Sequence, residues 1–163
     1  MGQSLHIRAA SREDVPLILQ FVRELAEYEK APNDVVATEE LLRQSLFGSD
    51  PAAECALAFW DDEPAGFAVY FYNYSTWTGR RSLYLEDLFV QEHLRGKGIG
   101  KDLLRHLAAI AISKGCARME WSVLDWNTPA IEFYKSLGAV AMDGWTVYRL
   151  DERAMERFAR PAQ

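Results

Sequence analysis

Gln91-Glu92-His93-Leu94-Arg95-Gly96-Lys97-Gly98-Ile99-Gly100-Lys101 decides how this chain is read. Three glycines at alternate positions let the backbone approach a ligand closely. The spacing of Leu103, Leu104, Leu107, Ala108 and Ala111 predicts that a helix opens directly behind them. A helix start carries unpaired N–H groups and the positive end of the helix dipole, so the stretch is a natural phosphate cradle. Its charge agrees. Between Gln91 and Arg105, the cations Arg95, Lys97, Lys101 and Arg105 outnumber Glu92 and Asp102 on a chain whose net charge is −6. A Walker A loop fails, because Arg95 stands where its first glycine belongs and Asp102 where it needs Ser or Thr. The dinucleotide fingerprint fails as well, because Lys101 occupies its third glycine.

Outward from this loop, short elements alternate. Leu5 to Ala10 reads as a strand, followed by a helix with Val15, Ile18, Leu19, Val22, Leu25 and Ala26 on one face. Ser11 or Asp14 caps that helix, and Pro16 favours a start near Asp14. Thr38 caps a second helix, Glu39 to Leu46, which stops at Gly48. Cys55 to Trp60, Gly66 to Tyr74 and Ser82 to Val90 are expected as three antiparallel strands, turning at Asp61-Asp62-Glu63-Pro64 and Trp77-Thr78-Gly79-Arg80. Behind the loop helix, closed by Gly115, come a strand over Arg118 to Leu124 and a helix opened by Thr128-Pro129 and closed by Gly138. A last strand is expected over Trp145 to Leu150, and a short amphipathic tail helix from Asp151 onward. The order β-α-α-β-β-β-α-β-α-β is a mixed α/β pattern.

Bulk composition narrows the class. The 163 residues, 49% hydrophobic and 26% charged, suit one globular domain spanning 1–163. No apolar run approaches the roughly 20 residues a membrane span needs, and Met1 to Arg8 lacks a signal-peptide pattern, so a soluble cytoplasmic protein is expected. Eighteen basic residues against 24 acidic ones disfavour nucleic acid as a partner. Two cysteines and three scattered histidines make neither a disulfide framework nor a metal site, so Cys55 and Cys116 are expected as inert thiols and no metal is expected.

Arg95-Gly96-Lys97-Gly98-Ile99-Gly100 resembles the pyrophosphate-binding signature of the GNAT acetyltransferases, Arg/Gln-x-x-Gly-x-Gly/Ala. Leu83 to Val90 before it and Trp126-Asn127-Thr128-Pro129-Ala130-Ile131-Glu132-Phe133-Tyr134-Lys135 after it resemble the diamine (spermidine/spermine-type) acetyltransferases of that superfamily. The likeness extends from Ile7-Arg8 to Leu150. It implies a GNAT fold, a mixed and mostly antiparallel sheet flanked by helices, with acetyl-CoA as acetyl donor and a homodimeric assembly. By the same resemblance Leu88, Phe89 and Val90 hold the pantetheine arm, and Arg95, Gly96, Lys97, Gly98, Ile99, Gly100 and Lys101 hold the pyrophosphate. Asn127, Thr128, Pro129, Ala130 and Tyr134 also touch the cofactor. Tyr134 is implied as general acid and Glu86 as the acid facing the amine. Tyr28, Glu29, Glu86, Asp87, Glu120, Trp121 and Asp143 are implied as substrate contacts. Three positions depart from the family: the turn before Leu83 is one residue longer, Ser75 replaces an acid, and Asp143 replaces a longer glutamate.

These residue types suit amine acylation. An amine of pKa near 10.4 is neutral in only about one molecule in 2,500 at pH 7, so a carboxylate such as Glu86 is needed to take its proton. A backbone N–H of the Leu88–Val90 segment can face the oxyanion, and Tyr134 can protonate the departing thiolate. Strand alternation requires one of Glu86 and Asp87 to face inward, where an arginine partner would make it structural instead. The expected activity is direct transfer, in a ternary complex, to a small cationic amine: a diamine, a polyamine or a lysine-like amino acid. A protein or peptide N-acetyltransferase and a non-catalytic acyl-CoA sensor are the other readings.

Overall fold

Asp61 and Asp62 both take left-handed φ, 48° and 67°, which Asp tolerates better than most residues. The chain therefore reverses in two residues between β2 (Glu54–Trp60) and β3 (Glu63–Ser75). The next reversal uses Gly79 at φ 65° and leads into β4 (Arg80–Val90). There the Ser75 hydroxyl accepts from the Thr78 N–H at 3.4 Å, so the residue that departs from the family pattern serves the turn. With β1 (Leu5–Ala9) and the short β5 (Met119–Glu120), these strands form one sheet in the order β1-β2-β3-β4-β5. All pairs are antiparallel except β4–β5, which is parallel. The computed structural model describes residues 4–161. The first residues of the Met1–Arg8 stretch and the last of the tail lie outside them.

Helix α1 (Val15–Tyr28) follows the first strand, and Arg8 fixes its entry. The guanidinium donates to both carboxylate oxygens of Asp14, at 2.7 and 2.9 Å. This holds the Asp14 carboxyl down at about 2. Ser11 and Asp14 cap the turn reciprocally. Ile18 and Phe21 then pack on Cys55, Leu57, Phe67 and Phe89 of the sheet, with the Phe21 and Phe67 rings stacked at 5.4 Å. Each such fully buried side chain contributes about 1.5–3 kcal/mol. Helix α2 (Glu39–Phe47), capped by Thr38 as expected, adds Leu42, Leu46 and Phe47 to this layer. The alternate strand residues, Ala56, Ala58, Ala68, Leu83 and Leu85, point to the opposite face. There α3 (Ile99–Ser113) runs across β3 and β4 and buries Leu103, Leu104 and Leu107.

Everything so far belongs to a compact unit that ends at Leu124; a second unit begins at Asp125. It holds α4 (Thr128–Ser136) and α5 (Glu152–Ala159). Asn127, not Thr128, is the N-cap of α4, accepting from the Ala130 N–H at 3.4 Å. Asp151 caps α5 through the Ala154 N–H. Two strand expectations are corrected. The strand read over Arg118 to Leu124 shortens to Met119–Glu120 because only those residues find a register, with Leu83 and Tyr84 of β4. No ladder forms over Trp145 to Leu150, where Trp145, Val147, Tyr148 and Leu150 are exposed. Alternation gives a segment strand propensity, but a strand exists only where a partner supplies its hydrogen bonds. Among the described residues no helix is long and apolar enough to cross a membrane.

Candidate active site

The register between β3 and β4 slips at one place. Val69 pairs with Asp87 and Tyr70 with Leu85, which leaves Glu86 as the extra residue of a β-bulge. Bulges re-aim a side chain and increase the local twist. Here the bulge leaves Glu86 exposed and turns Asp87 inward. Strand alternation required one inward carboxylate, and the structure identifies it as Asp87. Among the described residues no arginine forms a salt bridge with it. Burial, the neighbouring Glu86 charge and then the Glu29 charge push the Asp87 carboxyl up to about 6. Glu29 caps the C-terminus of α1 and is itself raised by burial. Three acids from two elements therefore share one region, an arrangement suited to a positively charged ligand.

Beyond the bulge β4 runs through Leu88 and Phe89 to Val90. Its outer edge loses its partner early, because β5 pairs only with Leu83 and Tyr84 among the described residues. The other edge stays closed. Gly66 lies so near Phe89 that a Cβ there would sit 2.3 Å from the Phe89 carbonyl oxygen. Sequence reading passed over Gly66, although an isolated glycine inside a strand pattern signals such close approach.

A 3-10 turn, Glu92–Leu94, then leads into the glycine loop. Gly96 and Gly98 have φ of 81° and 84°, with no atom within 4 Å of where a Cβ would stand. Helix α3 opens on Gly98 with no side-chain cap, so its first N–H groups are left for a ligand. Left-handed backbone, open space and uncapped N–H groups together fit a pyrophosphate. Buried Leu94 and Ile99 anchor the two sides of the loop. Three of its side chains reach the surrounding fold. Lys97 lies 5.2 Å from the Trp60 ring centroid, and His93 contacts the Glu63 carboxylate at 2.7 Å. Arg95 stands over Tyr28 and Phe89, at 4.7 and 5.5 Å from their ring centroids. Lys101 is exposed on the first turn of α3.

The remaining expected positions fall into two places. At the end of β5, Glu120 is paired with Arg118 Nε at 3.0 Å and Trp121 is half-buried. In the second unit Asn127 is buried, Thr128 and Pro129 are exposed in the first turn of α4, and Ala130 is half-buried. Tyr134 is half-buried two turns on, its ring 5.5 Å from that of Phe133. Asp143 is exposed beside Gly144, which takes φ 94° in a turn. A cavity of about 530 Å³ between Cys55, Tyr70, Tyr72 and Phe47 includes none of these positions. Burial raises the Cys55 thiol to about 12, which keeps it unreactive at neutral pH. Among the described residues no group of His, Cys, Asp and Glu is placed to hold a metal ion.

Residues 19–139 match the acetyltransferase (GNAT) family. The chain belongs to that family, as an N-acetyltransferase. Thialysine N-epsilon-acetyltransferase of Sus scrofa is 40% identical over 96% of this chain and 98% of its own length. The spermidine/spermine N(1)-acetyltransferase-like protein 1 of Homo sapiens is 35% identical over 91% of this chain, which spans 23% of that longer protein. Among solved structures, an integron cassette protein from the mobile metagenome of V. cholerae superposes with a TM-score of 0.81 at 30% identity, over 98% of this chain and all of that one. The GNAT fold expected from the glycine loop is therefore the fold present, and the five-stranded, mostly antiparallel sheet between helices is its core.

Proposed function

We propose that this N-acetyltransferase moves the acetyl group of acetyl-CoA to a primary amine of a small cationic substrate. The observation that carries the proposal is the acidic group formed by Glu29, at the end of α1, with Glu86 and Asp87 on the bulge of the strand that leads into the glycine loop. In this reading Gly96 to Lys101 hold the pyrophosphate, and the open edge of Leu88, Phe89 and Val90 receives the pantetheine arm. Acetyl-CoA supplies the acetyl group as an activated thioester. Glu29 and Asp87 bind the ammonium form, and exposed Glu86 takes the amine proton onto a carboxylate oxygen. Tyr134 Oη donates a proton to the departing sulfur, and Asn127, Thr128, Pro129 and Ala130 contact the cofactor. Glu120, Trp121 and Asp143 complete the substrate contacts, and no enzyme group becomes acylated.

Within cationic amines, a lysine-like amino acid is favoured over a long polyamine. The thialysine enzyme's 40% identity over nearly both whole chains supports this. Ser75, tied into its turn where polyamine enzymes carry an acid, supports it further. The family match crosses the Leu124/Asp125 boundary, which supports one catalytic domain made of both units. The exposed apolar residues of the unladdered 145–150 segment support a homodimer. The test is thiol release from acetyl-CoA across a panel of thialysine-like amino acids, diamines, polyamines and a lysyl peptide. Highest kcat/KM for a compact lysine-like amine is expected. Preference for the peptide would replace the small-amine reading, and release that no amine stimulates would overturn it.

A further inference from the structure

We propose that Arg95 is a positioning residue that fastens the glycine loop to the end of α1, so that loading the loop is felt at the amine-side acids. The proposal deepens the functional reading above and rests on its assignment of the two sites. The resemblance made Arg95 a cofactor contact, but its guanidinium is committed elsewhere. Nε donates to the Val90 carbonyl at 3.0 Å, and the head group stands over the rings of Tyr28 and Phe89.

These contacts reach three places: the loop's own entry, the strand beneath it, and the last residue of α1. Phe89 is a rigid base, buried and packed 6.1 Å from Phe21 of the same helix. Tyr28 is directly followed by Glu29, whose charge reaches Asp87. A planar cation laid on aromatic faces fixes orientation as well as distance, which a lysine ammonium would do less well. Lys97 and His93 lean the other way, onto Trp60 and Glu63 of the β2–β3 hairpin. Arg95 thus links the part of the loop that holds phosphate to the residue that sets the Glu29 carboxylate. Because Gly96 follows at φ 81° with open space around it, the loop can adjust to a ligand while Arg95 keeps its grip.

The test compares Arg95→Ala, Tyr28→Leu, Tyr28→Phe and the double variant Arg95→Ala/Tyr28→Leu. Removing the cation or the ring is expected to raise the amine KM roughly tenfold, the scale of two partly exposed cation–π contacts. The double variant is expected to be no worse than either single one, and Tyr28→Phe, which keeps the ring, to raise the amine KM less than Tyr28→Leu does. Additive losses, equal damage from Tyr28→Phe and Tyr28→Leu, or an Arg95→Ala effect confined to the acetyl-CoA KM would each overturn the proposal. If Arg95→Ala does not fold, the Tyr28 pair decides alone. The same cycle is read in the melting temperature of the unliganded protein, where coupling between Arg95 and Tyr28 is independent of substrate. If wild type turns over no amine, the functional reading fails while the melting cycle still decides the clamp.

Discussion

Replacing Asp87 by Asn is expected to stabilise the protein at neutral pH and to do so less as the medium becomes acidic. The inward carboxyl is raised from 3.8 to about 6, so the folded chain holds a proton that the unfolded chain has already released. Such a group costs nothing below pH 3.8, where both states are protonated. Its cost grows through the window from 3.8 to about 6 and stays constant above it. Two pKa units at 1.36 kcal/mol each give about 3 kcal/mol, and partial exposure of the side chain reduces this to about 2 kcal/mol. Asn keeps the shape and removes the charge. Urea unfolding of both proteins at pH 7.5 and pH 4.5 measures the difference. At pH 7.5 the variant should be about 2 kcal/mol more stable, a rise of about 4–8 °C in Tm for a chain of this size. At pH 4.5 roughly a third of that gain should remain. A variant less stable than wild type at pH 7.5, or a gain independent of pH, would show that Asp87 has a partner that favours its charge.

Three further outcomes are expected. Calorimetric binding of a cationic amine without acetyl-CoA should weaken as pH falls below about 6, by up to tenfold per pH unit, because the cation selects ionised Asp87; Asp87→Asn should remove that dependence. Tyr134→Phe should lower kcat by roughly a hundredfold or more with CoA affinity retained, as measured by steady-state kinetics beside direct CoA titration; an unchanged kcat would remove Tyr134 from the chemistry. Gly66→Ala should lose on the order of 2–3 kcal/mol in urea unfolding, because its Cβ meets the Phe89 carbonyl oxygen at 2.3 Å and backbone must move.

How far the sequence could be read depended on whether a feature was local. The glycine loop and the helix behind it were legible because glycine freedom and helix periodicity both lie within Gln91 to Ala111. The Asp61-Asp62 and Thr78-Gly79 turns were legible for the same reason, and so was the Thr38 cap. Alternation showed that Glu86 or Asp87 must face inward, but the choice depended on a bulge, which is a property of two strands in register and not of one. Gly66 was overlooked because its need comes from Phe89, far along the chain. The rings that engage Arg95, Tyr28 among them, were out of sight because they lie outside a motif six residues long. The strand over Trp145 to Leu150 failed in the opposite direction: its local propensity was real, but no partner strand among the described residues completes it.

A destabilising carboxylate at this position has a use that a paired one would lack. Asp87 could be paired by one arginine from α1 or β3, which would stabilise the fold and lower its pKa. Instead the Glu86 and Glu29 charges make its ionisation harder. In the proposed function a cationic amine entering this group would relieve the repulsion, so part of its binding free energy would come from repulsion already present in the folded protein. The bulge makes the arrangement useful for chemistry as well as for binding. It separates two adjacent carboxylates, leaving Glu86 exposed to exchange protons while Asp87 stays inward to hold charge. With regular pairing Glu86, not Asp87, would stand opposite Val69, so the bulge decides which of the two carboxylates turns inward.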